Sequence, residues 1–371
     1  MPGRPPEPRG PRLREHGLRI GGLEAGPRNS ITDVPGVAVG HVTVWRDEAD
    51  PPGGRGVART GVTAVLPGPV EGLSREPVQA GAAVLNGAGE LTGFVEISEW
   101  GAIETPVYLT ATMAVGRVFD GAVTAALEAD PAVGVDDVVI PVVGECDDSW
   151  LSDARLVQVE AADAGRAVAG SCEAVAEGAV GAGAGMVCFG WKGGIGTSSR
   201  VLPELDCTLG VLVLANFGAA PELRVDGVPV GRLLAAGEAR PEPAGSCIAV
   251  LATDAPLGPH QLERAARRAG LGLARTGSTA HHGSGEIFVA FSTSGRRPRG
   301  ERGPRATIEM VPDGALDPLF QATVDAAEES VLNALWAASD TTGREGRVAR
   351  GLPHDDVLEL LEAQGRLGRG R

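Results

Sequence analysis

The sequence predicts an α/β protein. Apolar runs of strand length, such as Thr208–Gly218 and the stretch behind Ser246, alternate with longer segments such as Met113–Leu127, whose apolar residues recur at helical spacing. The alternation lacks the regular spacing of repeated βαβ units. With 43% hydrophobic residues in 371, the chain has ample material for a buried core and room for one large domain or two ordinary ones. Abundant Gly (55 residues) and sparse aromatics (4%) point to tight turns and close backbone packing.

Charge and cysteine usage narrow the function classes. A formal net charge of −15 with no offsetting basic patch argues against a nucleic-acid partner. No apolar run approaches the ~18 residues of a membrane span. The basic start, MPGRPPEPRGPRLREHG, lacks the apolar core of a secretory signal. Five Cys form an odd set without CxxC or zinc spacing, which suits reduced, mostly buried thiols and a cytoplasmic location.

In chain order, residues 1–20 read as a flexible Pro/Arg-rich tail, 21–365 as a single domain, and 366–371 as a second tail. Pro35-Gly36 is a turn before a strand over Val37–Val44, and a second strand spans Thr60–Pro67. His41, between strand valines, reads as structural. Ala82–Leu91 is a strand entering a Gly-rich turn without a dinucleotide GxGxxG, so no cofactor is expected there. A short strand at Val107–Thr110 precedes the Met113–Leu127 helix, which Asp130-Pro131 ends. A buried strand from Val138 runs into the acidic loop Glu145-Cys146-Asp147-Asp148-Ser149-Trp150. Its carboxylates and Trp could hold a metal or an ammonium group, or form a solvated loop with one anchoring ring.

The Ala/Glu-rich segment Ala154–Glu177 predicts a helix, and Met186–Gly190 a strand. Trp191–Arg200 fails the phosphate-loop pattern because Lys192 precedes its glycines rather than following them. Lys192 is the chain's lone lysine and reads as a habit of composition. After the strand ending at Asn216, a polar, turn-rich segment extends from Pro221 to Ala244. Further helices are expected over Leu262–Leu271, Asp317–Ser339 (with Pro318 in its first turn) and Asp355–Gln364.

Three features carry chemistry. Gly245-Ser246 joins the polar segment to the apolar run; a Gly there lets the Ser hydroxyl approach the preceding carbonyl. Were that peptide cleaved, the new α-amine of Ser246, with a pKa near ~8, could serve as base for its own hydroxyl. Asn216, at the mouth of a buried strand, could donate to an oxyanion or cap a turn. Ser284-Gly285-Glu286, at a loop-to-strand entry, could direct a hydroxyl and a carboxylate into one cavity, or be an exposed Ser beside an edge Glu. His281 and His282 adjoin it without a third ligand, so no metal is expected.

The blocks GSCIAVLATDAPLGPHQLERAARRAG and HHGSGEIFVAFST resemble the DmpA family of N-terminal-nucleophile aminopeptidases, also called L-aminopeptidase/D-esterases, with β-peptidyl aminopeptidases among its relatives. WKGGIGTSSR is similar to that family's hairpin, and the likeness runs from Ile31 to about Leu361. The resemblance implies an αββα sandwich, shared with ornithine acetyltransferases, that cleaves itself between Gly245 and Ser246 into chains 1–245 and 246–371. It implies a tetramer of such heterodimers acting without cofactor or metal on small peptides, amino-acid amides or esters. Ser246 inherits the nucleophile's role, Asn216 the oxyanion donor's, and Ser284 and Glu286 those of proton relay and amine tuning. Asp147 and Trp150 inherit a place near the substrate pocket, with Trp150 as a wall. Many relatives carry a Tyr near Asp147 that this chain lacks, which leaves a second oxyanion donor open. Two alternatives stand beside this reading. One is ornithine acetyltransferase-like acyl transfer, against which the Ser nucleophile argues, since those enzymes use Thr. The other is an uncleaved, non-catalytic binding protein. Substrate side chain, L or D configuration and α- or β-peptide preference stay open.

Overall fold

A computed structural model describes residues 9–234, 245–300 and 307–367. Its strands are β1 (Ala38–Asp47), β2 (Val57–Leu66), β3 (Val78–Gly87), β4 (Ala102–Ile103), β5 (Val107–Ala111), β6 (Val142–Cys146), β7 (Val187–Cys188), β8 (Trp191–Lys192), β9 (Gly194–Leu202), β10 (Cys207–Asn216), β11 (Ser246–Thr253), β12 (Gly285–Ser292), β13 (Thr341–Thr342) and β14 (Val348–Ala349). The helices are α1 (Phe94–Trp100), α2 (Val115–Ala129), α3 (Ala162–Ala169), α4 (Val230–Leu234), α5 (Pro259–Arg275), α6 (Asp317–Ala337) and α7 (His354–Ala363).

Two sheets stack face to face. One has four strands in the order β1-β2-β5-β6, the other six in the order β4-β3-β12-β11-β10-β9. Between them lies an apolar layer containing Val65, Leu109 and Val142 from the smaller sheet and Leu214, Ile248, Val250 and Ile287 from the larger. The outer face of the larger sheet packs Val213, Cys247, Ala249 and Leu251 against Leu262 and Leu273 of α5 and Val331 and Leu335 of α6. The outer face of the smaller sheet packs Val62, Ala64 and Tyr108 against Val118 of α2 and Ala164 of α3. The result is the expected αββα sandwich. It explains why β10 and β11 read as unbroken apolar runs: both faces of each strand are buried, so alternating residues supply two different cores. Gly196 lets α6 lie flat on β9, since a Cβ there would come within 2.0 Å of the Ser330 carbonyl oxygen. Among the described residues no helix is long and apolar enough to cross a membrane.

Two local expectations are corrected. Only Ala162–Ala169 of the Ala154–Glu177 segment is helical. Arg155 is clipped to Asp153, the Gln158 amide donates to the carbonyls of Arg55 and Asp153, and Gly170 closes the helix, so side-chain ties outweigh helix propensity. Residues 9–20 pack onto the body of the protein where the sequence suggests a tail. Leu13, Leu18 and Ile20 join the core beneath α6, and Arg12 grips both carboxylate oxygens of Glu177 at 2.7 Å. Residues 1–8 of that tail, 235–244 of the polar segment and 368–371 of the C-terminal tail lie outside the described residues.

Candidate active site

Strand register assembles the predicted residues. β10 pairs antiparallel with β11 so that Asn216 faces Ser246, and β11 pairs parallel with β12 so that Ser246 faces Gly285. Ser284 and Glu286 flank Gly285, so all four candidate residues sit at one end of the three central strands. Ser246 opens β11 and shares its face with Ile248 and Val250, toward the inter-sheet layer. It is buried, and its Oγ accepts a hydrogen bond from the Gly285 N–H at 3.2 Å.

Gly245 is held against the Asn216-Phe217 backbone. A Cβ at this position would lie 2.2 Å from the Asn216 carbonyl oxygen and 2.6 Å from Phe217 Cα. No other residue fits without displacing β10. The glycine therefore fixes how the 245–246 peptide enters the sheet.

Across the site, the Ser284 hydroxyl donates to Glu286 Oε1, while Oε2 is buried without a hydrogen-bond partner among the described residues. Glu286 is fully buried, and burial raises its pKa above the ordinary carboxylate value although the Ser284 bond pulls the other way. The β12–β3 pairing shifts between Glu286 and Ile287, a bulge of the kind that re-aims side chains beside functional sites.

Asn216 is fixed at both ends of its amide. Its Oδ1 accepts from the Val187 N–H at 2.8 Å, and its Nδ2 donates to the Asp147 carbonyl at 2.8 Å. One Nδ2 hydrogen remains for a further acceptor. Asp147 thus meets Asn216 through its backbone; its exposed carboxylate accepts from the Ser149 N–H. Trp150 packs on Leu151, Val187 and Ala349. The chain's single tyrosine, Tyr108, is buried in the layer under α2 and α3, where burial pushes its pKa up, so it supplies no second donor beside Asn216. His41 bonds Thr63 through Nδ1 at 2.9 Å within the smaller sheet, as a structural group.

Two further charged residues lie beside these: Glu145, which the sequence gives only as one carboxylate of the acidic loop, and Lys192, which it gives as a habit of composition. Glu145, at the end of β6, is buried and raised in pKa by that burial; it accepts from the Thr112 hydroxyl and from the Glu90 N–H. It lies across Gly89 from Gly285: a Cβ on Gly89 would be 3.0 Å from Glu145 Oε1 and 3.7 Å from Gly285 Cα. A largely apolar cavity of about 570 Å³ begins at the same turn, lined by Gly87, Gly89, Leu91, Phe94, Ile140 and Ile287 among others. Lys192 is wholly buried and its Nζ donates to the carbonyls of Gly183, Met186 and Gly193 at 2.8–2.9 Å. The one signal for it in the sequence is its singularity.

The chain as a whole has counterparts among known proteins. The sequence pattern of the family described as Peptidase family S58 matches residues 29–349. The beta-peptidyl aminopeptidase BapA of Sphingosinicella microcystinivorans is 42% identical, over 98% of this chain and 94% of its own length. A solved structure from Pyrococcus horikoshii OT3 superposes with a TM-score of 0.91 at 43% identity, covering 96% of this chain and 100% of that one. The L-aminopeptidase D-Ala-esterase/amidase from Ochrobactrum anthropi, described as a variant of the Ntn hydrolase fold, superposes with a TM-score of 0.90 at 40% identity, covering 97% of this chain and 100% of that one. The chain belongs to peptidase family S58 and is an aminopeptidase, a hydrolase of peptide bonds.

Proposed function

We propose that the protein is a self-processing serine aminopeptidase working through an acyl-enzyme on Ser246. The observation that supports this reading is the register Asn216–Ser246–Gly285, which brings Ser246, Asn216 and the Ser284–Glu286 pair to one end of three adjacent strands. In the precursor, Ser246 Oγ attacks the Gly245 carbonyl carbon. The peptide shifts to an ester, and water then frees the Gly245 carboxylate and the Ser246 amine. In the mature enzyme that amine takes the hydroxyl proton as Oγ attacks the carbonyl of a substrate's N-terminal residue. The free hydrogen on Asn216 Nδ2 stabilises the oxyanion, the leaving amine departs with a proton, and water hydrolyses the ester.

Glu286, with Ser284, holds the catalytic amine and passes protons. Glu145 is a second buried carboxylate beside Gly285, suited to the ammonium group of the substrate. Asp147 and Trp150 form the outer wall of the pocket, and the cavity beyond Gly89 accepts an apolar side chain. Small peptides, amino-acid amides and esters are the substrates, and the mature protein is a tetramer of cleaved heterodimers. Asn216 is fixed by two hydrogen bonds and Glu286 is desolvated, features that an idle binding protein would not need.

The test is to trap the intermediate. Brief mixing with an alanyl or β-alanyl ester, quenching in acid and peptide mass spectrometry should find the acyl group on Ser246. Acylation elsewhere, or turnover retained by Ser246→Ala, would refute the reading.

A further inference from the structure

Lys192 and Asn216 share one peptide group. The Met186 carbonyl accepts from Lys192 Nζ at 2.8 Å, and the N–H of the same peptide unit, on Val187, donates to Asn216 Oδ1 at 2.8 Å. The other two ammonium hydrogens go to the Gly183 and Gly193 carbonyls at 2.9 and 2.8 Å. Lys192 therefore ties together the turn before β7, the β7 entry and the turn after β8, and these carry the group that orients the Asn216 amide.

Composition indicates that the geometry selects this residue. Of 33 Lys and Arg residues, Lys192 alone is a lysine. Burial by itself does not demand lysine, because Arg200 is equally buried on the neighbouring strand. What differs is the acceptor set. An ammonium projects three donors from one atom and can satisfy three carbonyls converging on a point, whereas a planar guanidinium spreads its donors along a fork. A buried cation on a peptide carbonyl also polarises that peptide, strengthening the next donor in the chain. The sequence Lys192 Nζ, Met186 carbonyl, Val187 N–H, Asn216 Oδ1 ends at the Nδ2 hydrogen proposed for the oxyanion.

We propose that Lys192 is a positioning residue for catalysis, acting through the Met186-Val187 peptide to hold the Asn216 amide in its donating orientation. The inference rests on the oxyanion role given to Asn216 above. Burial lowers the Lys192 pKa to about 7 and raises that of Asp148 to about 7, while the charge of each opposes the other's shift. Asp148 is itself buried, with one oxygen unpartnered among the described residues. The three carbonyls around Nζ match the three donors of the ammonium form.

A double-mutant cycle tests it, with alanine and β-alanine p-nitroanilides as probes and rates counted per cleaved Ser246 terminus by mass spectrometry. Asn216→Ala and Lys192→Met should each lower kcat about 100-fold with KM changed less than about threefold. The double variant should fall no further than either single one. Should Lys192→Met fail to fold, Lys192→Met/Asp148→Asn removes both buried charges, and its kcat is read against Asp148→Asn alone. Losses that multiply in the double variant, or a kcat retained without Lys192 where Asn216→Ala loses it, overturn the inference and leave the oxyanion reading standing. Failure to fold in both lysine backgrounds also overturns it, since the residue would then hold the fold and not the amide. No loss on Asn216→Ala would overturn the oxyanion reading itself, and the inference with it.

Discussion

Two buried polar clusters occupy the larger sheet and its covering helix, and they are built on opposite principles. Under α6, Glu329 is saturated: its oxygens accept from Arg14, Asn29 and Arg200 at 2.6–3.0 Å. Burial alone would raise its pKa, but these partners outweigh burial and hold it below the ordinary value. At the ends of β11 and β12, Glu286 has, among the described residues, one hydroxyl partner and one unpartnered oxygen, and its pKa is raised. The first cluster stabilises the fold. The second keeps a carboxylate short of partners in a desolvated place, which disfavours folding but gives a group able to exchange protons or bind an amine.

This contrast can be broken by matched substitutions. Glu329→Gln should destabilise the protein by about 3–5 kcal/mol, because it leaves the buried Arg200 and the half-buried Arg14 uncompensated, while kcat per folded molecule stays near wild type. A depressed carboxylate contributes its stability above the unfolded value and loses it as pH falls through the folded one. The deficit of this variant in urea titrations should therefore shrink toward acid. Glu286→Gln should do the reverse. Aminopeptidase kcat should fall by about 100-fold or more, yet the variant should melt above wild type at pH 8. A raised carboxylate weakens folding once ionised, so this gain should fade as pH falls toward the ordinary carboxylate value. A Glu286→Gln protein that is both active and less stable would erase the distinction.

The smallest effect expected is on acid stability. His41 and His354 are both brought down to about 4, in each case chiefly by burial. The unfolded chain protonates them first, so stability should decline as pH falls from about 6.5 toward 4. His41→Gln should flatten that slope in melting curves; an unchanged slope would remove His41 from the account.

Much of this was legible in the chain. Segments buried on both faces, such as Cys207–Asn216 and Ser246–Thr253, announced themselves as apolar runs with polar residues at one end, and those ends form the candidate site. The helix misread over Ala154–Glu177 failed because alanine content says nothing about the Asp153 clip or the Gln158 ties, whose partners include distant Arg55. The packing of residues 9–20 was hidden because Leu13 and Ile20 are isolated among charges and find their core more than three hundred residues later, on α6. Lys192 was hidden differently. Its meaning lies in three carbonyls meeting at one point, which no local window displays, although a single lysine among many arginines was visible from the start.

The most direct test of the central claim is the intact mass of the purified full-length protein under denaturing conditions, with sequencing of the new terminus. The account predicts two chains, residues 1–245 and 246–371, whose masses sum to that of the 37.8 kDa chain plus one water, the lighter one beginning at Ser246. A single intact chain in a preparation that hydrolyses aminoacyl p-nitroanilides would contradict it, because Ser246 would then have no free amine with which to act.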